Sequence, residues 1–287
     1  MTDRRFWPLF WTQFLGAFND NVFKNALVIL VTYRAWTVGG FAPEQMVALA
    51  AGLFILPFFI FSATAGQLAD KYPKSRLVPM IKLAEVGIMC AAAAGFWLDS
   101  LPVLLVVLFC MGMQSTFFGP IKYGILPQLL GEKELVGGNA IIELGTFLSI
   151  LLGTILAGIL ITLPGGTQWV SLGVIAFAII GFLGSRFIPT VKAEAPDLTV
   201  KWNPVTPTWA TFNHARKNRP VFLSILGVSW FWFFAASFMT LFPSYCKDVL
   251  YGNEHVITFL LTLFSVGIGV GSILCDQFSR GILELGV

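Results

Sequence analysis

The stretch Gly66-Gln67-Leu68-Ala69-Asp70-Lys71-Tyr72-Pro73-Lys74-Ser75-Arg76 changes solvent twice within a few residues. Ahead of it, residues 46–66 carry no charge at all, which is enough apolar chain to cross a hydrocarbon core of about 30 Å as a helix. An acid then closes the run, three bases cluster around a proline, and a second apolar run begins at Leu77. Proline cannot continue a helix, and clustered Lys and Arg hold a loop on one side of a membrane. The stretch therefore reads as a tight hydrophilic turn between two membrane-spanning helices.

Composition extends that reading to the whole chain. Of 287 residues, 56% are hydrophobic and only 11% are charged, with a mean hydropathy of +0.80. A soluble domain carries about 25% charged residues, so this chain cannot clothe a core in polar surface. Soluble enzymes, disordered proteins and nucleic-acid binders are excluded, and no nucleic-acid partner is expected. Apolar runs of sufficient length fall at about 7–33, 44–69, 76–98, 101–126, 134–162, 167–189, 220–246 and 254–276. The first is too long for a signal peptide, carries Asp20 and Lys24, and has no cleavage motif, so it reads as a retained helix.

Charge orients the bundle. With the N-terminus placed inside, the inner side holds Arg4, Arg5, Lys71, Lys74, Arg76, Lys133, Arg186, Lys192, Lys201, Arg216, Lys217, Arg219 and Arg280, whereas Arg34 and Lys247 lie outside. That asymmetry predicts a cytoplasmic N-terminus. The polar stretch 190–219 separates six spans (1–189) from two (220–287) and reads as a cytoplasmic linker between bundles. A weak repeat supports two bundles. Ser272-Ile273-Leu274-Cys275-Asp276-Gln277-Phe278-Ser279-Arg280 repeats the small-x-Leu-small-Asp pattern of residues 66–70, with a base four positions after the Asp in both.

Six charges fall inside the spans: Asp20, Lys24, Lys82, Glu85, Lys122 and Glu143. Each costs about 2.5–3.5 kcal/mol to insert, so each needs a partner or a role. Gln13, Asp20 and Lys24 share one stripe of the first helix, and Asp20 and Lys24 are spaced to pair. With Asn21 they are candidates to line a substrate path. Lys122 near the end of the fourth span, Asn139 and Glu143 on one face of the fifth, and the Lys82–Glu85 pair on the third complete that candidate set, with Glu143 a candidate carrier of a coupling proton. Gly66, Asp70, Lys71, Lys74 and Arg76, with Asp276 and Arg280, are candidate gate residues, the aspartates acting as latches at helix ends. Gly87, Ala91 and Gly95, and Gly267 with Gly271, read as small-residue stripes that let helices approach closely.

Catalytic chemistry finds no foothold. The two histidines, His214 and His255, lack an Asp five positions on, no Gly-Lys pair exists for a phosphate loop, and the four cysteines form no CxxC pair. No cofactor and no metal site are expected.

Residues 66–76, with Asp70, Lys71, Lys74 and Arg76 between the second and third spans, resemble the loop signature of the major facilitator superfamily, with Pro73 where that pattern has Gly. The segment Gln13–Leu27, containing Asp20-Asn21 and Lys24-Asn25, and the segment Phe118-Gly119-Pro120-Ile121-Lys122-Tyr123-Gly124-Ile125-Leu126-Pro127 resemble the lysophospholipid transporter family, especially versions fused to an acyltransferase and an acyl-carrier-protein ligase. The resemblance implies an all-α polytopic membrane protein with a six-helix bundle followed by the first two helices of a second, about the front two-thirds of a twelve-helix transporter. It implies movement of lysophospholipids such as 2-acyl-glycerophosphoethanolamine to the cytoplasmic leaflet of the bacterial inner membrane, where a fused or partner acyltransferase re-acylates them. The alternatives are a facilitator of small drugs or metabolites, and a scaffold for a lipid enzyme.

Overall fold

The computed structural model describes residues 5–33, 36, 39–251 and scattered positions between 260 and 278. Within them the chain forms α1 (Trp7–Tyr33), α2 (Pro43–Lys71), α3 (Lys74–Trp97), α4 (Leu101–Gly124), a short α5 (Leu126–Leu129), α6 (Leu135–Thr162), α7 (Gly166–Ser185), α8 (Val205–Lys217) and α9 (Arg219–Asp248). Six of these, α1 to α4, α6 and α7, are long and apolar enough to cross a membrane. They match the first six spans read from the sequence. The seventh span is α9; the eighth, 254–276, is described only at scattered positions, and Asp276 and Arg280 lie outside the described residues.

Packing closes the six long helices into one bundle. α1 packs against α6 and α7, α2 against α4, and α3 against both α7 and α4. The interior is layered. One apolar cluster gathers Phe23, Leu27, Met89, Phe96, Leu104, Leu108 and Val174 towards one end of the bundle. A second gathers Leu9, Val78, Phe118, Ile121, Leu126 and Ile142 towards the other, the end that carries the α2–α3 turn. Between them, at matching depth, α1, α3 and α4 each bury polar side chains: Asn19, Lys82 with Glu85, and Gln114 with Thr116.

Several details depart from the sequence reading. The fourth span stops at Gly124 rather than near 126, because Pro127 has no N–H to offer the carbonyl of Tyr123, and the chain resumes as α5. The polar stretch 190–219 is not all connector, since α8 occupies most of its second half. The small-residue stripe of α3 does less than its spacing promised. Gly95 does meet Leu104, 2.8 Å from where a β-carbon would stand, but the same position at Gly87 meets open space. Gly87 and Ala91 line an apolar groove of about 520 Å³ shared with Val103, Val106 and Cys110 of α4. Gly267 and Gly271 meet nothing among the described residues.

The close approaches lie elsewhere. A β-carbon on Gly112 of α4 would collide with the backbone carbonyl of Phe54 in α2. One on Gly153 of α6 would stand 2.7 Å from the backbone oxygen of Phe18 in α1. Backbone cannot yield as a side-chain tip can. Gly112→Ala is expected to lower stability by about 1–3 kcal/mol, the cost of overpacking, whereas Gly87→Ala leaves it unchanged. Thermal unfolding of the two variants in detergent measures the difference.

Candidate functional site

The polar layer is built around Glu85. Its Oε2 accepts from Lys82 Nζ at 2.6 Å and from Gln114 Nε2 at 3.0 Å, and its Oε1 accepts from Asn19 Nδ2 at 3.2 Å. Lys82 and Glu85 are each about 1% exposed and lie one turn apart on α3. The ion pair is therefore the local one the spacing suggested, but it sits at the junction of three helices. Gly16 of α1 makes room for it: the Lys82 ammonium occupies the place where a β-carbon on residue 16 would project. The ammonium also lies 5.0 Å from the centre of the Phe118 ring.

Asp20 and Lys24 do not pair with each other. Asp20 Oδ2 accepts from Ser115 Oγ of α4 at 2.6 Å, while its Oδ1, buried, has no hydrogen-bond partner among the described residues. The Lys24 ammonium lies 5.3 Å from the centre of the Phe54 ring of α2 and makes no ion pair with a described residue. A partner on a neighbouring helix thus wins over the pairing within α1. Asn19 Oδ1 and Thr12 Oγ1 are likewise buried without a hydrogen-bond partner among the described residues.

The remaining path candidates scatter. Gln13 turns to α6, donating to the Ile142 carbonyl at 3.3 Å and accepting from Thr146 Oγ1 at 3.2 Å. Asn21 turns back onto its own helix at Ala17, beside Gly153. Asn139 does the same at Leu135. Glu143 accepts from the Tyr123 hydroxyl, and Lys122 lies 4.6 Å from the Tyr123 ring centre, so these three form a second cluster between α4 and α6. The sequence reading missed Asn19, Gln114 and Ser115. Their signal was available: the run Gln114-Ser115-Thr116 is polar amid the apolar α4.

At the end of the bundle bearing the α2–α3 turn, the segment after α7 is strapped across α2 and α3. Glu194 N and Ala195 N donate to the Asp70 carbonyl at 3.1 and 2.9 Å. Glu194 Oε1 accepts from the buried Lys74 at 2.6 Å and from Gln128 at 2.8 Å. Val191 N donates to Ser75 Oγ, and Gln67 exchanges two hydrogen bonds with the backbone of Lys201. Asp70 thus serves through its carbonyl, while its exposed carboxylate accepts no hydrogen bond from a described residue. Lys71 rests by Tyr72, Arg76 is exposed, and Gly66 faces open space. The ionic tie here is Lys74–Glu194.

A major facilitator family model matches residues 9–283, and the chain belongs to the Major Facilitator Superfamily. Among its relatives, the lysophospholipid transporter LplT of Enterobacter sp. (strain 638) is 28% identical over 268 residues, and that of Escherichia coli (strain SE11) 26% identical. Each alignment covers 91% of this chain and 62% of the relative, so the chain spans less than two-thirds of the length of the proteins it matches. The fold is similar to the crystal structure of the human organic anion transporter MFSD10 (TETRAN), with a TM-score of 0.67 at 14% identity, covering 96% of this chain and 72% of that one. These relatives are transporters, not enzymes, and the chain is a multi-pass membrane protein of that superfamily.

Two tests follow from the geometry. Glu85→Gln leaves the Lys82 charge buried without a counter-charge, and breaking a buried pair on one side costs about 3–5 kcal/mol. The double variant Lys82→Met with Glu85→Met is expected to recover most of that loss, read as the unfolding midpoint in detergent. At the strap, the Lys74 hydrogen bond holds the Glu194 carboxyl below its ordinary value of 4.5. A depressed folded value stabilises the strap above pH 4.5, and that stabilisation fades as pH falls through the folded value. Hydrogen exchange of the Glu194 and Ala195 amides, corrected for intrinsic rate, is expected to rise on acidification, and Glu194→Gln abolishes that rise.

Proposed function

We propose that the protein carries lysophospholipids across the bacterial inner membrane, delivering them to the cytoplasmic leaflet. The observation that carries this reading is the unpaired couple on α1. Among the described residues, Asp20 keeps one buried oxygen without a donor, and one turn away the Lys24 ammonium has no counter-ion. A zwitterionic head group supplies both missing partners, its ammonium to Asp20 and its phosphate to Lys24. Two opposite charges held apart at membrane depth suit such a ligand better than a singly charged one. The similarity to proteins named as lysophospholipid transporters points the same way.

In this reading residues 1–189 form one bundle, 190–219 a cytoplasmic linker and 220–287 the start of a second bundle, with the N-terminus in the cytoplasm by the charge asymmetry of the loops. The lysolipid enters sideways between bundles, its head group following Asp20 and Lys24 and its acyl chain staying among apolar side chains. Lys122 receives the phosphate near the inner end, where Tyr123 and Glu143 steady it. The Lys74–Glu194 tie and the Asp70 turn act as the inner gate. A fused or associated acyltransferase consumes the delivered lysolipid.

Uptake of labelled lysolipids and of soluble drugs into spheroplasts carrying the complete transporter tests the proposal. Lysolipid uptake is expected, with Asp20→Asn or Lys24→Ala lowering it about tenfold or more, the worth of one charged hydrogen bond. Unchanged lysolipid uptake in both variants overturns the role of the couple. Uptake of drugs alone overturns the substrate class.

A further inference from the structure

We infer that α8 is an amphipathic helix that lies in the surface of the bilayer and docks on anionic phospholipid head groups, at the membrane face bearing the α2–α3 turn. Its apolar face is exposed. Val205 is 72%, Trp209 63% and Phe212 42% accessible, and Trp202, three residues ahead of the helix, is 74% accessible. At 100° per residue, Val205, Trp209 and Phe212 fall within about 60° of one another, so they form one stripe. The Trp209 and Phe212 rings stack 5.7 Å apart, and Phe212 meets Phe222 of α9 edge to face at 5.9 Å, so the stripe runs on into α9. Large aromatic rings aligned this way, with nothing of the described chain covering them, need an apolar phase.

Both ends of α8 are pinned at the level of the membrane boundary. Just ahead of it, the Lys201 backbone is held by Gln67, one turn from the end of the spanning helix α2. Just after it, Arg219 and Pro220 open the long apolar helix α9. A rod of 13 residues, about 20 Å, tied at both ends to one plane runs along that plane rather than away from it.

Charge selects the occupant. Between Asp197 and Asp248 the chain has no acidic residue, while Arg216 and Lys217 stand in the last turn of the helix and Lys201 and Arg219 flank it. The Arg216 guanidinium lies 5.7 Å from the Phe212 ring centre, at the end of the aromatic stripe, where a side chain with an apolar stem and charged head reaches lipid phosphate. Aromatics on one face with unopposed bases at the rim match an anionic bilayer surface. This inference rests on the chain spanning a membrane and not on the identity of the transported substrate.

The test reconstitutes the protein into vesicles of phosphatidylcholine with a minority of phosphatidylglycerol, and brominates one lipid or the other. Bromine quenches tryptophan on contact. The fluorescence difference between the protein and its Trp202→Phe, Trp209→Phe variant isolates the α8 share, and the remaining seven tryptophans report that the fold is intact. Brominated phosphatidylglycerol is expected to quench that share more than brominated phosphatidylcholine at equal mole fraction. Lys201→Gln, Arg216→Gln and Lys217→Gln are expected to lower the preference by about fivefold per charge removed while contact with lipid persists. Equal quenching by both lipids overturns the anionic preference. Quenching of the α8 share by neither overturns the docking, and protection from aqueous iodide as well identifies a protein partner or second copy as its cover.

Discussion

Everything in the interior is arranged around one costly contact, a Lys–Glu ion pair with about 1% of either side chain exposed. A charge in hydrocarbon demands compensation, and a pair compensates fully only when the leftover lone pairs and protons are also engaged. Glu85 meets that demand by drawing donors from three helices. The pair therefore sets the register of α1 and α4 against α3, since sliding any of them by one residue removes a donor. The apolar clusters above and below are non-directional and tolerate such slips more readily. Directional polar contacts fix what oily packing leaves loose.

The same layer holds the groups left incomplete. Asn19 and Asp20 each keep a buried oxygen without a donor among the described residues, close to the Glu85 carboxylate that three donors engage. Buried polar atoms without partners are rare in folded proteins, and among the described residues they fall on α1: Asn19 and Asp20 in this layer, and Thr12 Oγ1 about two turns away. Complete groups hold the bundle together, and incomplete ones next to them are what a ligand can complete.

Much of this was legible in the sequence. The first six spans follow from length and apolarity alone, and Lys82 and Glu85 are spaced to meet on any helix. What was not legible depends on how helices are rotated against one another. Spacing alone pairs Asp20 with Lys24 just as well, and only the position of Ser115 on α4 shows why the carboxylate turns away. Glu194 sits in a polar stretch with no periodicity, so nothing local indicates that it reaches Lys74 across 120 positions of chain. The α3 glycines mislead for a related reason. A small-residue stripe shows where a helix can be approached, and Gly87 and Ala91 instead border a groove.

Gly112 and Gly153 seat one helix directly on the backbone of another, joining α2 to α4 and α1 to α6. Bare backbone in contact with backbone has no rotamers to adjust, so these seams behave as welds rather than as sliding surfaces. Each of these two helix pairs is thereby held in one fixed register. Compliance is concentrated in the strap and the helix that follows it, whose ties are a handful of hydrogen bonds in reach of water. Substitutions in the strap can therefore loosen or tighten its ties without touching the backbone-to-backbone seams.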